Sequence, residues 1–206
     1  MKREGILVVI SGFSGAGKGT LMKNLLQKYD NYALSISMTT RGPRTGEVDG
    51  EAYFFTTKEK FEEQIASGGL IEYAQYCDNY YGTPKSYVEE QLQKGKDVIL
   101  EIEIQGAMKI KEKFPKALLL FVMPPDSTTL KTRLEGRGTE TKEVIDKRLH
   151  RALEESEGIE DYDYIVINDD LEVCTRQLHE IITAAHNTPN RNLEFIKNMK
   201  KELEAF

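Results

Sequence analysis

Only 2 of the 206 residues are cysteine, and neither stands in a CxxC pair. A disulfide framework and a thiolate metal site are thereby excluded, and the reducing cytoplasm is the expected setting. No apolar run approaches the roughly 20 residues needed to span a bilayer; the longest, Ala117 to Met123, is far shorter. Ile6 to Ile10, after Lys2 and Arg3, is too short for a signal-peptide core. Positive charge is scarce as well: 28 Lys+Arg stand against 34 Asp+Glu, for a net charge of −6. With no basic stripe, neither nucleic acid nor an anionic membrane is an expected partner. Proline occurs only 6 times, and no Pro/Ser linker, repeat or low-complexity tract divides the chain. What remains is 39% hydrophobic and 30% charged, which fits one globular domain with a real core and a solvated surface.

Apolar runs alternate with helical periodicity from end to end. Ile6–Ile10, Val98–Ile104, Ala117–Met123 and Tyr164–Ile167 read as strands buried on both faces. Helical stretches between them make a parallel sheet with crossover helices the economical architecture. Glu101 and Glu103 alternate with Ile102 and Ile104, which sets both carboxylates on one face of a strand. Capping chemistry marks two helix starts: Asp169 with Glu172 as a capping box, and Thr83 as N-cap with Pro84 at the first helical position. Behind the first, Leu171, Cys174, Leu178, Ile181, Ile182 and Ala185 share one face, which makes Cys174 a core residue. Cys77 receives no role. His150, His179 and His186 are expected at the surface, and Tyr73, Tyr76 and Tyr80 in strand packing. Leu193, Ile196, Met199 and Leu203 mark a C-terminal helix. Two stretches interrupt the rhythm. One, from about residue 35 to 84, is rich in tyrosine and carries the Gly42–Gly46 turn cluster; the other, from about 126 to 156, is polar, helical and rich in arginine. Both are expected as inserts on the loops of the sheet.

Directly after the first strand runs Gly12-Phe13-Ser14-Gly15-Ala16-Gly17-Lys18-Gly19-Thr20, with the Gly12-x4-Gly17-Lys18 spacing of a P-loop. The glycines let backbone N–H groups turn inward around a phosphate, and the helix that follows points its positive end at the same anion. Lys18 adds a mobile charge for the β and γ phosphates. Gly19 stands where the common pattern has Ser or Thr, so no protein ligand is assigned to a metal, and Mg2+ is expected to be held mainly by phosphates and water. The loop implies phosphate binding and leaves kinase, GTPase and ATPase open.

The next residues narrow the choice. Ser35-Ile36-Ser37-Met38-Thr39-Thr40-Arg41-x-x-Arg44, Gly46-Glu47-Val48-Asp49-Gly50-x-x-Tyr53 and Leu70-Ile71-Glu72-Tyr73 follow in order. Asn79-Tyr80-Tyr81-Gly82-Thr83-Pro84, Leu100-Glu101-Ile102-Glu103-Ile104-Gln105-Gly106 and Arg133-x3-Arg137 with Arg148 complete the series. Together these resemble the motifs of guanylate kinases, over residues from about 6 to 170. The resemblance implies Mg2+-dependent transfer of the ATP γ-phosphoryl group to GMP, with dGMP as a further acceptor. It also implies an α/β P-loop kinase core, a parallel sheet flanked by helices, carrying a small GMP-binding lobe of short strands and a helical lid. Within a single domain the core would take about 1–34, 85–125 and 157–206, the lobe about 35–84 and the lid about 126–156. Carried over by position, Lys18, Arg133, Arg137 and Arg148 are catalytic, and the loop from Gly12 to Thr20 holds ATP, with Asn168 near its base. Ser37, Arg41, Arg44, Tyr53, Tyr81 and Thr83 contact GMP and its phosphate, and Glu72 with Thr83 reads the guanine. Glu101 and Glu103 stand near the nucleoside, the latter where the family commonly has the shorter Asp.

The residue types suit these roles. Two guanidinium forks at Arg41 and Arg44 clamp a dianion, and tyrosine hydroxyls add donors. Guanine offers N1–H and an amine to one carboxylate, and adenine does not, so Glu72 would select by hydrogen bonds left unmet. Lid arginines would stabilise the transferring phosphoryl group and exclude water. The attacking phosphate is already anionic, so no general base is nominated. Three rivals are weighed: a guanylate-kinase-like scaffold domain that binds peptides, which would typically lack the intact loop; an adenylate kinase, disfavoured by the Ser37–Arg44 and Tyr81–Thr83 motifs; and a nucleic-acid-dependent ATPase, disfavoured by the charge. Oligomeric state carries no expectation.

Overall fold

The computed structural model describes residues 3–76, 78–136 and 141–206. Its first strand, β1 (Leu7–Gly12), is the middle of a sheet because Leu7 to Ile10 have nothing polar to present and are buried on both faces. The other strands of that sheet are β2 (Tyr32–Leu34), β7 (Asp97–Glu101), β8 (Leu118–Met123) and β9 (Tyr164–Ile167). They stand in the order β2-β7-β1-β8-β9, and every neighbouring pair is parallel. Parallel neighbours need crossovers. These are supplied by α1 (Lys18–Lys28), α3 (Lys85–Gln93), α4 (Ile104–Lys113), α5 (Ser127–Glu135), α6 (Lys142–Ser156) and α7 (Leu171–Ala185). Residues 38–84 build a second sheet from β3 (Met38–Thr39), β4 (Phe54–Phe55), β5 (Leu70–Tyr76) and β6 (Asn79–Pro84), in the order β4-β3-β6-β5, with α2 (Lys58–Ala66) packed on it. Phe61 of α2 is fully buried and stacks on Tyr80 at 5.2 Å. The last helix, α8 (Leu193–Leu203), buries none of its residues. Among the described residues no helix is long and apolar enough to cross a membrane.

The α/β reading with a central parallel sheet holds, and Cys174 is a core residue, 1% exposed. Burial pushes its thiol pKa up to about 11. Several local expectations are corrected. The strand read over Val98–Ile104 stops at Glu101, and Glu103 is the N-cap of α4, so the two carboxylates do not share a strand face. Asp170, not Asp169, caps α7, accepting from the Val173 N–H at 2.9 Å. The start is delayed because the Asn168 N–H is still tied to the Met123 carbonyl of the sheet. Thr83 lies within β6 rather than capping α3; Pro84, the last residue of β6, takes the cap position without a side-chain bond. β9 is an edge strand, and Tyr164, Ile165 and Ile167 are exposed where two buried faces were expected. Tyr73 is exposed as well.

Two of the three histidines leave the surface. His179 is hydrogen-bonded to the Tyr32 hydroxyl at 2.7 Å and stacks on Tyr29. His186 meets Asp97 at 2.7 Å, and that buried carboxylate also accepts from the Ile6 N–H at 2.8 Å. Cys77 lies outside the described residues, and so does the Tyr76 side chain.

Leu120 of β8 is fully buried, so Leu120→Ala is expected to lower the unfolding free energy by about 2–5 kcal/mol through the lost contacts and the cavity left behind. Urea unfolding of both proteins, with the same m-value, checks it.

Candidate active site

Two groups of expected site residues follow the C-terminal ends of β1 and β7, the place where an open parallel sheet leaves room for ligands. The first is the turn between β1 and α1. Gly12 leaves the strand so close to β8 that a Cβ there would fall 2.1 Å from the Val122 carbonyl oxygen. Gly17 caps α1 in the left-handed region, at φ 89°, and a Cβ on it would fall 2.6 Å from Asn168 Nδ2. Asn168 is itself buried, and its Nδ2 donates to the Ala16 carbonyl at 2.8 Å, so its bond goes to the backbone of the turn. No side chain caps α1, which leaves its first N–H groups for an anion. Lys18 Nζ donates to the carbonyls of Gly12 at 2.7 Å and Phe13 at 3.3 Å, folded into the turn. Gly19 and Thr20 are exposed at its far side.

The arginines expected in a lid are differently placed. Arg148, on α6, donates from Nη1 to Ser14 Oγ at 2.9 Å and so reaches the turn. Arg133, on α5, lies within electrostatic reach of Asp126 and Cys174. Its Nη1 is buried with no hydrogen-bond partner among the described residues. Arg137 lies outside the described residues.

The second surface is a cleft of about 900 Å3 lined by Ser37, Glu72, Tyr81, Glu101 and Glu103 among the expected residues. Thr83 Oγ1 donates to Glu72 Oε1 at 2.7 Å, and Thr83 is 1% exposed. Burial pushes the Glu72 carboxyl above the usual carboxylate range, against the pull of the Thr83 bonds and the Lys113 charge. The β5–β6 pairing shifts register between Leu70 and Tyr73, the interval that holds Ile71 and Glu72.

Beside the cleft stands an aromatic and cationic cluster. The Tyr53 ring lies 6.1 Å from that of Tyr81, and the Arg41 guanidinium sits 5.3 Å over the Tyr53 ring. Arg41 Nη2 donates to both Glu47 oxygens, at 2.9 and 3.0 Å, and Glu47 also accepts from the Arg44 N–H at 2.7 Å. Those donors hold the Glu47 carboxyl below the usual range. The structure thus brings Arg41, Tyr53 and Tyr81 together, while the Arg44 residue is exposed.

Sequence reasoning gave Glu47, Lys109, Lys113 and Arg151 no role, although Lys109, Lys113 and Arg151 line the cleft. The signals were there to read: an acid three residues after Arg44, lysines four apart on one helix, and an arginine three residues after Arg148.

Residues 4–185 match the family model described as guanylate kinase. The chain is 51% identical over 202 residues to a guanylate kinase of Clostridioides difficile (strain 630), covering 98% of each. It is 48% identical over 205 residues to one of Lactococcus lactis subsp. lactis (strain IL1403), covering 100% of each. Among solved structures, the guanylate kinase from Anaplasma phagocytophilum superposes with a TM-score of 0.70 at 31% identity, covering 93% of this chain and 91% of that one.

Proposed function

The chain belongs to the guanylate kinase family, and from that premise we propose that it transfers the γ-phosphoryl group of ATP to GMP, giving ADP and GDP. The observation that carries this reading is a pair of unlike sites at the ends of neighbouring strands. One is a glycine-built anion seat with Lys18 folded into it, and the other a cleft whose half-buried Glu72 is braced by Thr83.

In this reading the backbone from Gly12 to Thr20 cradles the ATP phosphates, and Lys18 exchanges its two carbonyl partners for phosphate oxygens. Arg148, already at Ser14, stands beside the group that moves. The unpartnered Nη1 of Arg133 is a donor that bound nucleotide would satisfy. Asn168 acts through the loop whose carbonyl it holds. Ser37, Arg41, Arg44, Tyr53 and Tyr81 take the GMP phosphate, with Glu47 fixing the Arg41 fork in advance. Glu72, ionised, accepts from guanine N1–H and the exocyclic amine, and Glu101 and Glu103 face the nucleoside. Base reading of this kind does not involve the ribose, so dGMP is expected to serve as well.

A GMP phosphate oxygen attacks the γ-phosphorus in line, forming one P–O bond as the bond to the β-phosphate oxygen breaks and ADP leaves. The attacking oxygen is anionic, so no residue takes a proton. Among the described residues no cluster of three or more His, Cys, Asp or Glu could hold a cation alone. Thr20 Oγ1 and the Glu101 carboxylate, both on exposed residues, are hard oxygens of the kind that would suit a Mg2+ ion keeping phosphates and water as its main ligands. When bound, that ion shields phosphate charge.

The test is ADP release from ATP and Mg2+ with GMP, dGMP, AMP, UMP and CMP in parallel. Turnover confined to GMP and dGMP is expected. Equal turnover with AMP would overturn the reading of Glu72, and no turnover with any acceptor would overturn the kinase.

A further inference from the structure

Helix α6 touches both halves of the site with side chains three residues apart. Arg148 Nη1 donates to Ser14 Oγ in the phosphate turn at 2.9 Å. Arg151 Nη2 donates to Glu103 Oε2 in the cleft at 3.3 Å, and its Nε donates to Glu155 Oε1 at 2.9 Å. Residues i and i+3 of a helix lie about 4.5 Å apart along its axis and on one side, so a shift of one carries the other. Glu155, one turn on in α6, has a side chain only 14% exposed and anchors the guanidinium to its own helix. Glu103 belongs to a different element, the N-cap of α4. Arg151 therefore ties α6 to the cleft wall.

The Arg151–Glu103 pair is exposed on both sides, 62% and 72%, and is weak enough for a ligand to break. Arg151 also makes two acids compatible. Burial and the nearby Glu103 charge push the Glu155 carboxyl up, and the guanidinium between them pulls it down.

We propose that Arg151 is a positioning residue that couples the two substrate sites. By sharing Glu103 with the acceptor pocket, it makes the setting of α6, and with it Arg148 at the phosphate turn, depend on whether GMP is bound. The proposal rests on the reading of the cleft as the GMP site. In the empty site Glu103 accepts from Arg151. A nucleoside hydroxyl in the cleft is a competing donor for that carboxylate, and the GMP phosphate a competing acceptor for that guanidinium. Either contact alters the restraint on α6. Each substrate then changes the affinity for the other by what one exposed ion pair supplies, about three- to fivefold, equally in both directions.

Calorimetric titration with the imido analogue of ATP, with and without saturating GMP, reads this coupling in the wild type, R151Q and E103Q. The wild type is expected to give a ratio of dissociation constants of about three to five. R151Q is expected to give a ratio of one while keeping the analogue's affinity without GMP within about twofold, with unchanged thermal unfolding. A purely structural role would leave the ratio where it was. E103Q removes the other partner, so it too is expected to give a ratio of one, and R151Q/E103Q no further change. Should R151Q fail to fold, E103Q alone decides. A wild-type ratio of one, or a ratio that survives R151Q or E103Q, overturns the proposal. GDP formation by the same wild-type sample separates that failure from failure of the cleft reading.

Discussion

Lys18→Ala is expected to lower the rate of GDP formation by on the order of 10³-fold, with the KM for GMP nearly unchanged. The side chain already lies in the loop, its Nζ on the Gly12 and Phe13 carbonyls, so its charge is in place before nucleotide arrives. Phosphoryl transfer draws on that charge most when negative charge spreads over the moving group, and the backbone N–H groups that remain still seat the phosphates. The KM for ATP should therefore rise far less than kcat falls. The fold should not suffer: position 18 is the first residue of α1, where alanine is a good helix former. Steady-state kinetics with either substrate varied, beside a thermal unfolding curve, measure all of this. A loss of less than tenfold would remove Lys18 from the reaction.

Glu72→Gln should reduce kcat/KM for GMP by about 10²-fold without improving AMP. An amide offers guanine one acceptor where the carboxylate offers two, and it turns an NH2 group toward the guanine donors. Burial gives the wild-type group a pH signature. Its pKa stands above that of an ordinary glutamate, 4.5, because the ionised form is penalised inside the fold. As pH falls through the raised value, Glu72 takes up a proton, loses an acceptor, and the KM for GMP climbs. An unburied glutamate would do this only in stronger acid. Stability runs the other way: an acid whose folded pKa is raised costs the empty fold stability above that pKa, and the cost disappears as it protonates. Mild acid thus weakens GMP binding while slightly favouring the empty protein. Neither trend should appear in the amide variant, and a matching acid limb there would assign the titration to another group.

The phosphate turn was legible because its geometry is local. Glycine spacing, an apolar strand before it and a helix after it suffice to fix where a phosphate goes. The parallel sheet was legible for a similar reason, since strands buried on both faces have a composition of their own. What escaped was decided by partners distant in the chain. The strand through Val98 ends at Glu101, where the Ile102 N–H still keeps the ladder bond to the Ile10 carbonyl but the Ile102 carbonyl accepts from a side chain, Ser11 Oγ, 91 residues away. No periodicity near residue 102 reports that. Thr83 looks like a cap until Glu72 claims its hydroxyl, and His186 looks like a surface residue until Asp97 is found across from it. The strand-like run at β9 conceals its position at the sheet edge, because order in a sheet is a property of the whole topology. Arg151 was passed over because an arginine in a charged helix signals nothing until its acceptor on another element is known.

The position of β1 at the centre of the sheet bears on how the protein is made. Its two neighbours, β7 and β8, lie about half a chain away, so a ribosome at about 5–20 residues per second leaves this apolar strand without either edge covered for on the order of 10 s. Throughout that interval the nascent chain carries a β-rich, uncharged segment of the kind that pairs with its own copies. The nucleotide seat, translated before its sheet neighbours, takes its shape only once β8 has emerged. Mutations that slow the arrival or docking of β8 would therefore lower the yield of soluble protein before they lowered the activity of the molecules that fold.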